Sequence, residues 1–345
     1  MQPALPSRPP RQPRRVLHGV LLLDKPVGWT SNDALQKAKG ILRAEKGGHT
    51  GTLDPLATGL LPLCFGAATK FSQASLDADK RYTATLHLGQ RTSTGDREGA
   101  VVEDRPVLCD SAAIVAASSR LTGQIDQVPP MHSALKHEGK ALYEYARAGV
   151  AIERPARRVT IHAIDILSWQ GAALVLDVRC SKGTYIRTLA EDIGAALRCG
   201  AHLSALRRTG SGALSVQDTV TLETLQALTE AERDALLLPP DVLVAGWPEV
   251  HLHDDEAGRF LTGLRRRVTL ADAPAVRVYR RPPEPPDSTR AFLGTAHITA
   301  GELIADRLLS PVEVMWTCHS PRTPSRGGDG QAIASGPKLL VQDSP

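Results

Sequence analysis

At residues 47–62 the chain reads GGHTGTLDPLATGLLP, a turn-rich loop that runs directly into an apolar segment. The loop holds four glycines, the histidine His49 and a single carboxylate, Asp54. Glycine allows positive φ and lets a backbone approach a ligand closely, so this composition predicts a functional site. No G-x-x-x-x-G-K-[ST] is present, which argues against a phosphate-binding loop. Locally, Asp54 fits a turn residue before Pro55 as well as a catalytic group, and His49 fits a structural hydrogen-bonding residue as well as a base.

The composition of the 345 residues is typical of a soluble protein, with 42% hydrophobic and 23% charged residues, and the length predicts two domains. No apolar run approaches the roughly 18 residues of a membrane helix. Asp24 and Lys25 directly follow the short apolar run at 20–23, so we expect a cytoplasmic protein without a signal peptide or a membrane partner. The five cysteines are scattered and odd in number, which argues against a disulfide framework and a structural metal site. We expect neither a metal nor a cofactor.

The formal net charge of +4 is compatible with a polyanionic partner but does not establish one. Basic residues cluster at 154–158, at Arg207 and Arg208, and at 265–267. Separated clusters of this kind fit contacts along a phosphate backbone, and solvated surface charge is the alternative.

Composition divides the chain into four parts. Residues 1–16 are rich in Pro and Arg and predict a disordered basic arm, while residues 318–345 are Ser-, Gly- and Pro-rich and predict a disordered tail. Between them, the run LLPP at 237–240 marks a boundary between a larger unit, 17–240, and a smaller unit, 244–316.

Hydrophobic periodicity predicts both strands and helices. Residues 81–88 and 173–180 alternate as strands do, and 186–197 repeat apolar residues at helical spacing until Gly200. Another helix is predicted to begin near Ser31 and Asn32, which can cap it. The smaller unit is predicted to hold strands at 267–270, 276–279 and 291–298 around a Pro-rich loop at 282–286. Strands and helices do not alternate strictly, so we predict an α+β fold with an antiparallel or mixed sheet.

A lone catalytic aspartate needs a partner that keeps it ionised and aimed. Arg187 is a candidate because an arginine lowers the pKa of a neighbouring carboxyl and fixes its rotamer. A surface helix residue is the alternative for Arg187. Tyr82 could stack on a base, or it could pack inward with its strand neighbours.

Longer blocks of sequence carry a family resemblance. Besides the loop at 47–62, they read LLLDKP at 21–26, GAATKF at 66–71, DKRY at 79–82, LGQRT at 88–92, SALK at 133–136, LYEYAR at 142–147 and SKGTYIRT at 181–188. In these blocks and their order the chain resembles the TruB family of bacterial tRNA pseudouridine synthases, over about residues 17–316. The resemblance implies a pseudouridine synthase catalytic fold at 17–240 with an inserted RNA-closing segment at 123–157. It also implies a small β-rich, PUA-like RNA-binding domain at 244–316.

The activity that the resemblance implies is isomerisation of uridine-55 in the T loop of tRNA to pseudouridine, after the base is flipped out. The resemblance implies that Asp54 is the nucleophile, that Arg187 is its partner, and that Tyr82 lies against the target base and takes part in proton transfer at C5. It implies that Tyr185 and Leu206 border the uracil pocket and that His49 contacts the RNA. It also implies that Lys25 and Pro26 support the catalytic loop. Attack at the ribose C1′ and attack at the base C6 both stay open.

The implied partner is the T-arm stem-loop of tRNA, bound by a monomer without an obligate protein partner. The basic residues of the inserted segment would meet phosphates: Lys136, Lys140, Arg147, Arg154, Arg157 and Arg158. His132 stands where the family pattern has a tyrosine. One alternative is a non-catalytic tRNA-binding or tRNA-folding protein. The other is a carboxylate-dependent glycoside hydrolase, which would normally need two facing carboxylates where the loop supplies only Asp54.

Overall fold

The computed structural model describes residues 13–133, 135–281, 290–319 and 338–340. Residues 1–12 of the predicted arm, the Pro-rich loop at 282–286 and most of the predicted tail lie outside the described residues.

The described residues form helices and strands in an order that does not alternate. The strands are β1 (Gly19–Lys25), β2 (Gly47–His49), β3 (Ala57–Phe65), β4 (Lys80–Leu88), β5 (Gln90–Thr92), β6 (Val101–Asp104), β7 (Gly123–Gln127), β8 (Lys136–His137), β9 (Lys140–Ala141), β10 (Arg157–Gln170), β11 (Ala173–Cys180), β12 (Ala201–Ser211), β13 (Leu214–Ser215), β14 (Glu249–Leu252), β15 (Arg266–Arg267), β16 (Ala273–Arg280), β17 (Ala291–Thr299), β18 (Glu302–Leu308) and β19 (Lys338–Leu340). The α-helices are α1 (Ser31–Ile41), α2 (Ser72–Asp77), α3 (Ser111–Arg120), α4 (Leu142–Arg147), α5 (Ile186–Ala196), α6 (Leu222–Ala227), α7 (Glu230–Ala235), α8 (Asp254–Leu261) and α9 (Pro311–His319). Short 3₁₀ helices occupy Gly66–Phe71, Val216–Asp218 and Pro240–Val244.

A mixed sheet forms the larger unit. Its strand order is β1-β3-β12-β4-β11-β10-β7, with β2 paired to β3 and β13 paired to β12, which makes nine strands within the described residues. The strands β3 and β12 run parallel, whereas β1–β3 and β12–β4 are antiparallel. This mixed sheet with helices confirms the predicted α+β fold class.

Alternation fixes the face that the central strands bury. On β4 the side chains of Tyr82, Ala84 and Leu86 are buried, while the intervening residues are partly or fully exposed. The strand predictions at 81–88 and 173–180 are therefore confirmed, and β11 has the predicted bounds. Helix α5 confirms the prediction at 186–197 to within one residue and buries Ile186, Leu189 and Ile193.

Helix α1 begins where predicted, but its cap differs. The residue that caps it is Thr30, whose side chain accepts a hydrogen bond from the Asp33 amide at 3.1 Å. Ser31 was predicted to cap and instead is buried, with its hydroxyl bonded to the backbone of Leu53. The cap prediction was one residue late because Ser31 is used in a long-range contact.

The close approach of β3 and β12 depends on Gly59. A Cβ at this position would lie 2.3 Å from the Arg208 carbonyl oxygen, and its φ is +96°. Only glycine tolerates both conditions. The glycine thereby lets the end of the 47–62 loop lie against the middle of the sheet.

A second sheet forms the smaller unit, in the order β15-β18-β17-β16-β14-β19. Strands β16 and β17 cover the predicted strands at 276–279 and 291–298, but the strand predicted at 267–270 was wrong beyond Arg267. Val20, Leu22 and Leu60 of the first sheet share one apolar cluster with Val250 and Phe292 of the second. The two sheets are therefore packed against each other.

Three predicted boundaries need correction. Arg15, placed in the disordered arm, donates from its backbone to the Arg43 carbonyl at 2.7 Å and from Nη1 to Asp234 at 3.1 Å. Lys338–Leu340, placed in the disordered tail, forms β19 parallel to β14. The predicted inserted segment at 123–157 was too long, because its ends form the β7–β10 ladder of the main sheet. What lies between is the β8–β9 hairpin and α4.

None of the helices in the described ranges is long and apolar enough to cross a membrane.

Candidate active site

Asp54, in the middle of the 47–62 loop, forms an ion pair with Arg187. Arg187 lies in the first turn of α5, and its Nη2 is 3.0 Å from Asp54 Oδ2. The Asp54 side chain is 43% exposed, whereas that of Arg187 is 6% exposed. The buried guanidinium thus binds the carboxylate from the protein interior, and the carboxylate stays accessible to a ligand.

Arg187 is fixed by three further acceptors. Its Nη1 lies 3.4 Å from Asp96 Oδ2 and donates to the Thr94 carbonyl at 3.3 Å. Its Nη2 donates to the His132 carbonyl at 2.5 Å. A guanidinium with acceptors on both nitrogens has one orientation. Because His132 accepts this bond through its backbone carbonyl, the bond does not depend on having histidine in place of the tyrosine of the family pattern.

Asp96 is a site residue that the sequence analysis missed. Its carboxylate is 5% exposed and accepts hydrogen bonds from Thr94 Oγ1 at 2.6 Å and from the Glu98 amide at 3.0 Å. The available signal was the polar run TSTG at 92–95 directly before it, which is typical of a tight turn that presents a side chain.

The charges around Asp54 oppose one another. Burial raises the pKa of Asp54, and the negative charge of Asp96 raises it further, while Arg187 and Lys25 lower it. The net result is a pKa above the ordinary aspartate value. Burial also lowers the pKa of the Lys25 ammonium to about 8.

The β1–α1 loop supports the backbone on both sides of Asp54. Lys25 is fully buried, and its Nζ donates to the carbonyls of Pro26 at 2.9 Å and Trp29 at 2.6 Å. The Gly28 amide donates to the Pro55 carbonyl at 2.8 Å. Lys25 and Pro26 therefore lie where a structural support for the loop would lie.

Tyr82 and Arg208 lie opposite each other on β4 and β12 beneath the loop. Arg208 is fully buried and donates to the carbonyls of Leu60 at 2.7 Å and Gly51 at 3.2 Å. Burial raises the pKa of Tyr82, and the positive charge of Arg208 opposes this shift.

For the basic cluster at Arg207 and Arg208, both phosphate contact and solvated surface charge were open, and burial excludes both for Arg208. Arg208 is inside the protein, and Arg207 forms a two-point ion pair with Asp24, at 3.0 and 2.6 Å. Arg208 is buried on a central strand, whereas Arg207 on the same strand keeps 42% of its side chain exposed while it pairs with Asp24.

The remaining predicted residues surround this centre. The Tyr185 amide, directly before α5, donates to Gln127 Oε1 at 3.1 Å, and its ring is half-buried. Leu206 lies opposite Ala57 and Ala84 and is also half-buried. Leu206 on β12 thus lies beside Ala57, the first residue of β3.

His49 lies on β2, at the start of the loop. Its Nδ1 is buried and has no hydrogen-bond partner among the described residues. Burial, with the charge of Arg208, lowers the pKa of the imidazole, which favours the neutral ring. The structure pairs Asp54 with Arg187. The charge of Lys25 lowers the pKa of Asp54, and His49 has no hydrogen bond to either member of the pair within the described ranges.

Two other features lie outside this site. The described residues contain no group of three or more His, Cys, Asp or Glu side chains that could hold a metal ion. A cleft of about 600 Å³ lies between the two units, lined by residues such as Gln73, Ser211 and Trp247, and Asp54 does not line it.

Two family models match consecutive parts of the chain. Residues 39–186 match the family model described as TruB family pseudouridylate synthase (N terminal domain). Residues 187–245 match the one described as tRNA pseudouridylate synthase B C-terminal domain. The tRNA pseudouridine synthase B of Cupriavidus pinatubonensis is 57% identical over 313 residues, which cover 88% of this chain and 98% of the relative. That of Ralstonia pickettii is 58% identical over 309 residues, covering 88% and 97%.

This chain belongs to the TruB family. TruB proteins are pseudouridine synthases, so the chain is an isomerase, which removes the support for a glycoside hydrolase. A solved Cbf5-Nop10-Gar1 complex contains a similar chain, 26% identical with a TM-score of 0.66, and the match covers 87% of each chain. The TruB chain therefore has the pseudouridine synthase fold that the resemblance implied.

Proposed function

We propose that this TruB chain isomerises uridine-55 in the T loop of tRNA to pseudouridine, with Asp54 as the nucleophile. The observation that carries the proposal is the 3.0 Å ion pair between an accessible Asp54 and a buried Arg187. The names of the relatives, tRNA pseudouridine synthase B, support tRNA as the substrate.

The chemistry begins with the base leaving the stacked loop, because no side chain reaches it inside the stack. The Asp54 carboxylate attacks either the ribose C1′ or the base C6, and the C1′–N1 bond breaks. The base turns within the pocket and a C1′–C5 bond forms. The bond between Asp54 and the substrate breaks at this step for attack at C1′, or after it for attack at C6, and the carboxylate is regenerated. C5 then loses its proton and N1 carries one in the product, so substrate and product have the same atoms and no net oxidation occurs. Covalent catalysis by a carboxylate is an established strategy.

Arg187 and Asp96 prepare Asp54 for attack. Because burial raises the pKa of Asp54, the positive charge of Arg187 is needed to keep the carboxylate ionised. Asp96 and the carbonyls of Thr94 and His132 keep the guanidinium in place. The His132 contact links the inserted segment to the catalytic pair. A movement of this segment on RNA binding would therefore change the position of the Arg187 guanidinium.

The other predicted residues form the proposed uracil pocket. Tyr82 would lie against the base and take part in removal of the C5 proton, with Tyr185 and Leu206 at the borders. His49, whose Nδ1 has no partner within the described part of the chain, would contact the RNA.

The RNA would contact two parts of the protein. Lys136, Lys140 and Arg147 of the inserted segment are exposed and would meet phosphates. Arg158 is less free, because its Nε donates to Asp126 Oδ1 at 3.2 Å. We also propose that the second sheet is a PUA-like RNA-binding unit and that the chain acts as a monomer.

The test is Asp54→Asn assayed for pseudouridine formation on a T-arm stem-loop. The variant keeps the size of the side chain but removes the nucleophile, so we expect no product and nearly unchanged RNA affinity. Asp177→Asn is the matched control, since it also removes a carboxylate paired with an arginine, Arg81, at 2.8 Å but on the opposite sheet face. Turnover by Asp54→Asn would contradict the nucleophile assignment.

A further inference from the structure

Trp29 is an exposed aromatic side chain beside the catalytic loop. Among the large apolar side chains of the described residues that are exposed, the aromatic ones are Trp29, at 37%, and Tyr143, at 38%. Tyr143 lies on α4 of the inserted segment, with the Arg147 guanidinium 5.3 Å from its ring centre. Trp29 lies instead in the β1–α1 loop, and nothing in the activity derived above uses its indole.

The backbone around Trp29 is bonded to the backbone around Asp54. Gly28, on one side of Trp29, donates to the Pro55 carbonyl at 2.8 Å. Ser31, two residues after it, bonds through its hydroxyl to the Leu53 carbonyl at 3.0 Å and amide at 2.7 Å. Residues on both sides of Trp29 thus bond to the immediate neighbours of Asp54, so the backbone that carries the indole is held beside the segment that carries the nucleophile.

At position 29 the contact that supports the fold is made by the backbone and not by the indole. The Trp29 carbonyl accepts from Lys25 Nζ at 2.6 Å, and any residue supplies that carbonyl. The indole N–H donates no hydrogen bond within the described ranges. The neighbouring Val27 is also exposed, at 52%, but it has no aromatic face on which a base could stack.

We propose that Trp29 is a stacking platform for an unpaired base of the RNA substrate, next to the flipped uridine. This inference rests on the proposed function, because it needs an RNA at this cleft. Single-stranded RNA is recognised largely by stacking of splayed bases on aromatic side chains. A tryptophan offers a large rigid face at little conformational cost, and a fixed backbone lowers that cost further.

The experiment measures the affinity of the full chain for a T-arm stem-loop by fluorescence anisotropy of labelled RNA. Trp29→Ala and Trp29→Leu remove the ring, and both are expected to weaken binding by about 5-fold to 150-fold, the range for loss of one base–aromatic stack. Trp29→Phe keeps a ring and should retain most of the affinity. Val27→Ala is the control from the same loop and should leave the affinity unchanged.

Two further readouts separate stacking from other causes. The single-turnover rate at saturating RNA should stay within about twofold of wild type in Trp29→Leu, because stacking acts on binding. The dependence of log Kd on log salt should keep its slope, because no phosphate contact is lost. RNA should quench part of the tryptophan emission, and this part should vanish in Trp29→Phe although the other three tryptophans remain.

The inference is overturned if Trp29→Ala binds the RNA within about twofold of wild type. It is also overturned if Trp29→Leu binds as tightly as Trp29→Phe, since an apolar contact would then suffice. If Trp29→Ala does not fold, the comparison of Trp29→Phe with wild type by quenching decides the question. Absence of pseudouridine formation by the wild-type protein would instead reject the proposed function, and the affinity measurements would still test the role of Trp29.

Discussion

Arg187 lies between two carboxylates, with Asp54 at 3.0 Å and Asp96 at 3.4 Å, and two carbonyls complete its contacts. A planar guanidinium can serve several acceptors in fixed directions, whereas an ammonium group cannot. We therefore expect Arg187→Lys to lose most of the single-turnover rate, by about 10²-fold or more as for misplaced catalytic groups.

The control for this substitution is Arg179→Lys, at an exposed position on β11. It should leave the single-turnover rate unchanged. A rate for Arg187→Lys within a few-fold of wild type would reject the idea that the geometry of Arg187 matters beyond its charge.

The pKa of Asp54 predicts how activity depends on pH. Burial raises that pKa above the ordinary aspartate value, and only the ionised carboxylate can attack. The rate should therefore fall as pH drops through the raised pKa, at a pH above that of an unperturbed aspartate, ~3.9. The measurement is the pH dependence of the single-turnover rate under conditions where the protein stays folded. An acid limb at or below the ordinary value would contradict the burial of Asp54.

At the scale of elements, the placement of the loop depends on the parallel contact of β3 and β12. Gly59→Ala puts a Cβ 2.3 Å from the Arg208 carbonyl at a φ of +96°, so the strands must separate or the backbone must strain. We expect a loss of roughly 1–3 kcal/mol in the free energy of unfolding, measured by urea denaturation.

Gly40→Ala is the matched control, since it lies within α1 and a Cβ there would meet nothing within 4 Å. It should raise the free energy of unfolding by roughly 0.5–1 kcal/mol, because alanine is favoured over glycine in helices. Equal effects of the two substitutions would show that the β3–β12 contact is not constrained as described.

Sequence patterns predicted the elements that bury one face. Strands β4 and β11 and helix α5 alternate or repeat clearly, and each has nearly the predicted bounds. Strands β1 and β3 are buried along nearly their whole length, so they carry no alternation and were not predicted. A continuous apolar run does not distinguish a buried strand from a buried helix.

The site was predictable only where a local motif carried it. Asp54, Tyr82 and Arg187 stand in dense motifs, which made them candidates, and the structure pairs Asp54 with Arg187. The roles of Asp96 and Arg208 come from contacts between residues that are far apart in sequence. Arg208, for example, bonds to Gly51, and these two residues are 157 positions apart. Such a contact leaves no local signal, and Arg208 therefore looked like a surface charge.

For the whole molecule, the fold reduces the surface available to phosphates. The net charge is +4, but Arg208 is buried and Arg207 is paired with Asp24. Exposed Lys136 and Lys140 remain on the inserted segment. RNA affinity should fall steeply with added salt, and the double variant Lys136→Gln/Lys140→Gln should reduce the slope of log Kd against log salt by about 2, or about 1 per phosphate contact.

Arg207→Gln removes one positive charge, from a residue that is paired with Asp24, and it should leave the slope unchanged. A slope that responds to Arg207 and not to Lys136 and Lys140 would place the RNA on a different surface.

The central claim is that this chain makes pseudouridine at one position of tRNA through Asp54. The most direct measurement maps pseudouridine at nucleotide resolution in an unmodified tRNA transcript incubated with the purified protein and no added cofactor. We predict a single new pseudouridine at position 55 with the wild-type chain and none with Asp54→Asn. Pseudouridine at other positions only, no pseudouridine with the wild-type chain, or product from Asp54→Asn would contradict the account.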